Sequence, residues 1–120
     1  MTEVTIYYNK NSIRGFTICG HSNYDDVGYD ILCAAISMLA TTTINSIINI
    51  ARLSENDIIK CKVDDSVPFM GIIISDTLSN RKKHDAQLLF KNLIYGLKQL
   101  ASEPSYEQFI SISYRRWNDD

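Results

Sequence analysis

Residues 20–37 read GHSNYDDVGYDILCAAIS and place His21, the acids Asp25, Asp26 and Asp30, and Cys33 within one short stretch. A thiol and an imidazole brought together form a nucleophile and a general acid/base: the thiolate attacks and the ring carries the proton. The polar segment between them is long enough to fold back and bring the His21 ring to Cys33. Asp30 reads as the N-cap of the helix that follows. That puts Cys33 in the first turn, where free backbone N–H groups and the helix dipole favour a thiolate. The Asp30 carboxylate opposes that ionisation, so a cation or base beside the thiol is needed, and His21 is the candidate. Ser37, one turn after Cys33, shares its side of the helix and is placed to orient a catalytic group or to hold substrate backbone.

The same residues have plainer readings. A cysteine beside Ala34 and Ala35 in an apolar helix packs as a small hydrophobe. A histidine at a strand end closes a loop hydrogen bond, and Asp25, Asp26 and Asp30 suit turns and caps. Zinc is a second chemistry, with Cys19, His21, Cys33 and Cys61 as ligands, but their spacing matches no standard knuckle, so no metal is expected. A redox switch is a third and requires a resolving partner such as Cys19 near Cys33.

The elements that must position these groups follow from hydrophobic periodicity. In VTIYYN, Val4, Ile6 and Tyr8 alternate with Thr5 and Tyr7. After the turn residues Asn9, Lys10, Asn11 and Ser12, the run IRGFTICG sets Phe16 and Ile18 against Thr17 and Cys19, so a hairpin is expected. From residue 31 to about 53 the chain is apolar on nearly every side, which suits an interior helix that also serves a subunit interface. The β-branched Thr41-Thr42-Thr43 lowers its intrinsic propensity and leaves packing to hold it. In IIKCKVD, Ile59, Cys61 and Val63 are expected inward and Lys60, Lys62 and Asp64 outward. FMGIIIS reads as a central strand. Residues 84–101 form an amphipathic helix with a Leu89, Leu93, Leu97 and Leu100 stripe, in which Gly96 marks a close backbone contact. Residues 106–114 make a last strand. The order β-β-α-β-β-α-β predicts an α+β fold: a mainly antiparallel sheet with two helices.

At 120 residues this is a single domain spanning 1–120, with one core. The formal net charge of −2 speaks against a broad nucleic-acid surface. The one basic cluster, Arg81-Lys82-Lys83-His84, reads as a solvated loop rather than a phosphate site. The N-terminus lacks the basic start and apolar run of a signal peptide, and no apolar stretch approaches the roughly 20 residues needed to span a bilayer. No membrane contact is therefore expected. The expected location is cytoplasmic, where Cys19, Cys33 and Cys61 are reduced thiols.

Gly20-His21, Asn23-Tyr24, Gly28, Asp30-Ile31-Leu32-Cys33-Ala34-Ala35 and Ser37, taken together, resemble the signature of the bacterial ribosomal-processing cysteine protease family. That family is marked by a Gly-His pair, a loop of about a dozen residues, and Asp-Ile-Val-Cys-Ala-Ala followed by serine; Leu32 replaces the usual valine. The likeness extends more weakly to the strand-rich start and the Leu-rich second helix. In the closing segment Pro104 precedes Ser105-Tyr106 where the family ends Tyr-Pro, and the tail after Tyr114 has no counterpart.

The resemblance implies a cofactor-independent cysteine endopeptidase, acting as a homodimer. It would remove the short N-terminal extension from the precursor of large-subunit ribosomal protein twenty-seven, cutting after an apolar stretch that ends in an aromatic pair. It implies Cys33 as nucleophile and His21 as general base, with Asp30 and Ser37 supporting their geometry. Gly20 would be a hinge for the loop, and Asn23, Tyr24 and Tyr29 would contact substrate. The alternative is a non-catalytic module that binds a peptide or a ribosomal partner, for which neither Cys33 nor His21 is required.

Overall fold

The computed structural model describes residues 1–20, 27–64 and 69–118, with the backbone alone at 27–30 and 64. The elements run β1 (Thr2–Asn9), β2 (Ser12–Gly20), α1 (Val27–Asn49), β3 (Ile58–Asp64), β4 (Phe69–Ile74), α2 (Asn80–Ala101) and β5 (Ile110–Arg116), with a 3-10 turn at Glu55–Asp57. The strands form one sheet in the order β3-β4-β2-β1-β5. All neighbours are antiparallel except β1 and β5, which run parallel at one edge. This is the expected α+β architecture.

Both helices lie on one face of the sheet. Val4, Ile6, Phe16, Ile18, Ile72 and Ile74 form the buried sheet face, as the period of two requires. Leu32, Ile36, Ala40, Ile44 and Ile47 are the buried stripe of α1, and Ala86, Phe90, Leu93 and Leu97 that of α2. The α2 stripe is rotated slightly from the expected leucine row, with Leu89 and Leu100 packed at its margins. Phe16 and Phe90 meet edge to face at 6.3 Å. A first side-chain carbon placed at Gly96 would lie 3.2 Å from both Leu39 methyls, so the two helices touch there as expected.

Packing does hold the threonine run. The Thr43 hydroxyl donates to the Leu39 carbonyl at 2.7 Å, and the Thr41 hydroxyl donates to Met70 Sδ at 3.8 Å. The span Ile31–Asn49 has 19 residues and a mean hydropathy of 1.8, long and apolar enough by composition to cross a membrane. The sequence reading had found no such stretch. Here the span packs through its buried stripe as the core helix, while Ile31 and Met38 on its other side are exposed.

Three expectations are corrected. First, α2 begins at Asn80, capped by the Ser79 hydroxyl, which accepts from the Lys82 amide at 3.3 Å. Arg81-Lys82-Lys83-His84 is therefore helix rather than loop. Second, β3 slips register between Ile58 and Lys60. Such a bulge adds one residue to a strand and shifts the alternation, so that Ile58 turns toward the core in place of Ile59. Cys61 and Val63 do share the helix-facing side, opposite Ile72 and Met70. They are exposed because β3 is an edge that the helices do not cover. Third, the last strand starts at Ile110, four residues later than expected, because residues 102–109 form turns.

The opposite face of the sheet carries no helix. The row Tyr7, Gly15, Ile73 and Lys60 crosses it, and Trp117 lies over that row. Its ring is 5.5 Å edge to face from Tyr7 and 5.5 Å from the Lys60 ammonium. The Trp117 amide donates to the Tyr8 carbonyl at 2.7 Å, and Asn9 Nδ2 donates to the Trp117 carbonyl at 2.9 Å. Beneath it, Gly15 lets β2 and β4 pair closely, because a side chain there would overlap the Ile72 carbonyl oxygen.

An ion pair ties the 3-10 turn to α2: Lys82 Nζ stands 2.7 Å from Asp57 Oδ2. The same carboxylate oxygen accepts from the Ser54 amide and hydroxyl at 2.8 and 2.9 Å. The Lys82 hydrogen bond, followed by those from Ser54, lowers the Asp57 pKa from 3.8 to about 2. A depressed folded-state pKa contributes stability above the unfolded value that is lost as pH falls toward the folded one. Asp57→Asn is therefore expected to cost roughly 1–2 kcal/mol at neutral pH, allowing for the partial solvent access of the pair. In urea titrations the gap from wild type should narrow as pH falls from about 4 to about 2.

Candidate active site

Cys33 is half-buried on α1 and faces the start of β1. Its Sγ lies 4.0 Å from Thr2 Oγ1. Thr2 is only 3% exposed, and its amide donates to the Phe109 carbonyl at 2.8 Å, which fixes the first residue of β1 against the start of β5. Thr2 pairs with Gly20, the last residue of β2. A side-chain carbon at Gly20 would come 3.2 Å from Thr2 Oγ1. The absence of a side chain there thus leaves room for the hydroxyl that borders the thiol. The strand end at Gly20, the buried hydroxyl and the thiol form one contiguous corner, and the chain leaves that corner directly into His21.

The sequence reading had not singled out Thr2. A threonine at the start of an alternating strand carries no signal of its own. Only the β1–β2 register and the path of α1 reveal its place.

Several expected site residues fall on parts of the chain with limited description. His21, Asn23 and Tyr24 lie outside the described residues. Tyr29 and Asp30 fall within the backbone of α1, and their side chains lie outside the described residues. The N-cap expectation for Asp30 is corrected: α1 begins at Val27, so Asp30 is its fourth residue and Cys33 its seventh. Cys33 therefore sits in the second turn, past the free N–H groups, where the pull of the dipole has weakened. Any activation of the thiol must come mainly from a neighbouring group rather than from the helix end. Ser37 is exposed one turn further along, on the Cys33 side of α1.

The three described cysteines are free thiols, and the sheet keeps them apart. Cys19 pairs with Glu3 and Phe69 on the helix-free face, so the sheet lies between it and Cys33. That placement counts against the redox pairing. Cys61 is three strands from β1, on edge strand β3 beyond β4 and β2. Desolvation pushes the Cys61 thiol above its ordinary value. Among the described residues, no three His, Cys, Asp or Glu side chains are grouped to hold a metal ion.

The family described as cysteine protease Prp matches residues 1–111. No curated protein sequence matches the chain. Among solved structures, a Streptococcus mutans protein superposes with a TM-score of 0.79 at 24% identity, covering 98% of this chain and 96% of its own. The Staphylococcus aureus ribosomal processing protease Prp, solved with a substrate peptide, superposes with a TM-score of 0.77 at 22% identity. The same protease, solved with a covalently linked product peptide, gives 0.73 at 25%. Both cover 96% of this chain and 100% of theirs.

The raised Cys61 thiol should show in its alkylation. Alkylation of Cys61, followed by mass spectrometry across a pH series, is expected to reach its midpoint above the ordinary value of 9.0, with little modification at neutral pH.

Proposed function

The chain belongs to the cysteine protease Prp family, and we propose that it is a ribosomal-processing endopeptidase in which Cys33 is the nucleophile and His21 the general base. The observation that carries this reading is the corner at the end of β2. Gly20 abuts Thr2, Thr2 borders the Cys33 thiol, and the residue after Gly20 is the histidine. The match of the family over residues 1–111 and the peptide-bound structures of the Staphylococcus aureus protease support it. A covalently linked product is what a nucleophilic thiol leaves on its acyl fragment.

The proposed cycle is acyl transfer. His21 takes the Cys33 proton, and the thiolate attacks the scissile carbonyl carbon. Collapse of the tetrahedral adduct breaks the C–N bond, and the imidazolium gives its proton to the leaving amine. The N-terminal fragment remains as a thioester on Cys33. Water, deprotonated by His21, then adds to that carbonyl, and the carboxylate product leaves as the thiol is restored. Because α1 supplies little dipole at Cys33, the imidazole is the principal activator, and the rate depends on the segment after Gly20 bringing it to the thiol. Asp30 and Ser37 support this geometry, Gly20 is the hinge, and Asn23, Tyr24 and Tyr29 contact the peptide.

The substrate we propose is the precursor of large-subunit ribosomal protein twenty-seven, cut after the apolar-aromatic end of its short N-terminal extension. The enzyme is proposed to be cytoplasmic and homodimeric, with the exposed Ile31 and Met38 face of α1 available for the partner protomer.

Incubation of that precursor with wild-type protein is expected to give one cut at the end of the extension, read by mass spectrometry. Cys33→Ala should abolish the cut while the thermal midpoint stays near that of wild type. His21→Ala should lower turnover by a factor of about 100 or more. Cleavage by the Cys33→Ala variant would refute the assignment of the nucleophile. Gly20→Ala, which crowds the Thr2 hydroxyl by a few tenths of an ångström, is expected to reduce kcat far more than it shifts the melting temperature.

A further inference from the structure

Along β1 the residues on the helix-facing side are Thr2, Val4 and Ile6, and all three are buried. Val4 and Ile6 follow the apolar pattern of a sheet face packed under helices, and Thr2 departs from it. Valine has nearly the shape of threonine and would fill the same space without a hydroxyl to satisfy. A buried hydroxyl costs stability unless it is hydrogen-bonded, so its presence at a core position calls for a partner.

Cys33 supplies one. Its sulfur is 4.0 Å from Thr2 Oγ1, and either atom can be the donor. A threonine hydroxyl donates one hydrogen bond and accepts two, so the sulfur takes up only one of its places. The backbone that carries the hydroxyl is pinned on both sides. Thr2 pairs with Gly20 of β2 and with Ile110 of β5, and its amide donates to the Phe109 carbonyl at 2.8 Å. Gly20 keeps the space beside the oxygen open, since a first side-chain carbon there would stand 3.2 Å from it. A β-branched side chain has few χ1 choices. A fixed strand therefore presents a fixed hydroxyl to a thiol carried by a different element.

That arrangement bears on the order of proton movements. A neutral thiol can donate to Thr2 Oγ1, whereas a thiolate can only accept. When His21 takes the thiol proton, a hydrogen bond from the Thr2 hydroxyl to sulfur becomes charge-assisted, which makes it shorter and about twice as strong. Cys33 lies in the second turn of α1, past the free amides, so this donor comes from the sheet instead of the helix end. We propose that Thr2 is a positioning residue for Cys33, its hydroxyl holding the sulfur and donating to the thiolate; this rests on the reading of Cys33 as the nucleophile. The hydroxyl proton stays on Thr2 throughout, while the thiol proton passes to His21 and from there to the leaving amine.

The test sets Thr2→Val, which keeps the shape, against Thr2→Ser, which keeps the hydroxyl, in the full chain. The first readout is alkylation by iodoacetamide at neutral pH, followed peptide by peptide by mass spectrometry, with Cys19 of the same molecule as the internal reference. Thr2→Val is expected to slow Cys33 about tenfold relative to Cys19, with Thr2→Ser within about twofold of wild type. The second readout is cleavage of the ribosomal precursor, where Thr2→Val should lower kcat by a similar factor and leave KM nearly unchanged. Should Thr2→Val fail to fold, Thr2→Ala against Thr2→Ser isolates the hydroxyl, because both lack the methyl group. An unchanged Cys33 rate in the folded variant without the hydroxyl would overturn the proposal. An equal loss in Thr2→Ser would overturn it too, because packing alone would then explain the effect. No cleavage by the wild-type protein would count against the protease reading, and the alkylation rates would still decide the role of Thr2.

Discussion

The pairing of β1 with β2 is the constraint from which the rest of the molecule follows. A strand displaced by one residue turns every side chain to the opposite face. The observed register places Val4 and Ile6 beside Ile18 and Phe16 under the helices. The single irregularity, between Tyr7 and Tyr8, absorbs Arg14 as an extra residue. Without that slip, Ile13 would leave the margin of the core and Arg14 would not reach the Ile74 carbonyl. The same register sets Thr2 opposite Gly20, and so places the end of β2 beside Cys33. One hairpin thus specifies the hydrophobic face, the thiol corner and the opposite end.

The two ends of the sheet have different chemical characters for this reason. At the Thr2 end the thiol borders a buried neutral hydroxyl at 4.0 Å, and the strand pairing fixes Thr2 opposite Gly20. In the proposed reaction that thiol takes its base from His21, the residue next in the chain after Gly20. At the Asn9 end, Lys10, Arg14, Lys83, Arg116 and Asp76 converge from separate elements around one hollow. Rigid strands between the two ends allow each to be built without disturbing the other.

Much of this was legible from the chain. The alternation in VTIYYN and IRGFTICG, the all-round apolar run and the leucine-rich segment were sufficient for the element order and the hairpin. Gly96 was read correctly as a contact because a glycine inside a good helix costs stability unless something approaches it. The misreadings share a physical origin: they depended on tertiary neighbours. The bulge at Ile59 and the edge position of β3 reversed the expected burial of Ile59, Cys61 and Val63, which alternation alone cannot reveal. Asp30 has the chemistry of a cap, yet α1 starts at Val27, so a favourable cap type did not mark the boundary. Thr2 and Trp117 gave no sequence signal, because their roles come from strands that are far apart in the chain.

The end of β5 shows how strands far apart in the sheet are tied together. The family match ends at residue 111, within β5, whereas the strand continues to Arg116 and Trp117 extends its ladder through the Tyr8 carbonyl. Trp117 lies on the helix-free face, with its ring against Tyr7 of β1 and the Lys60 ammonium of edge strand β3. An edge-to-face ring contact and a cation over the same indole each favour one ring orientation. The β1 strand that borders the thiol at Thr2 thus also anchors the end of β5 at Tyr8.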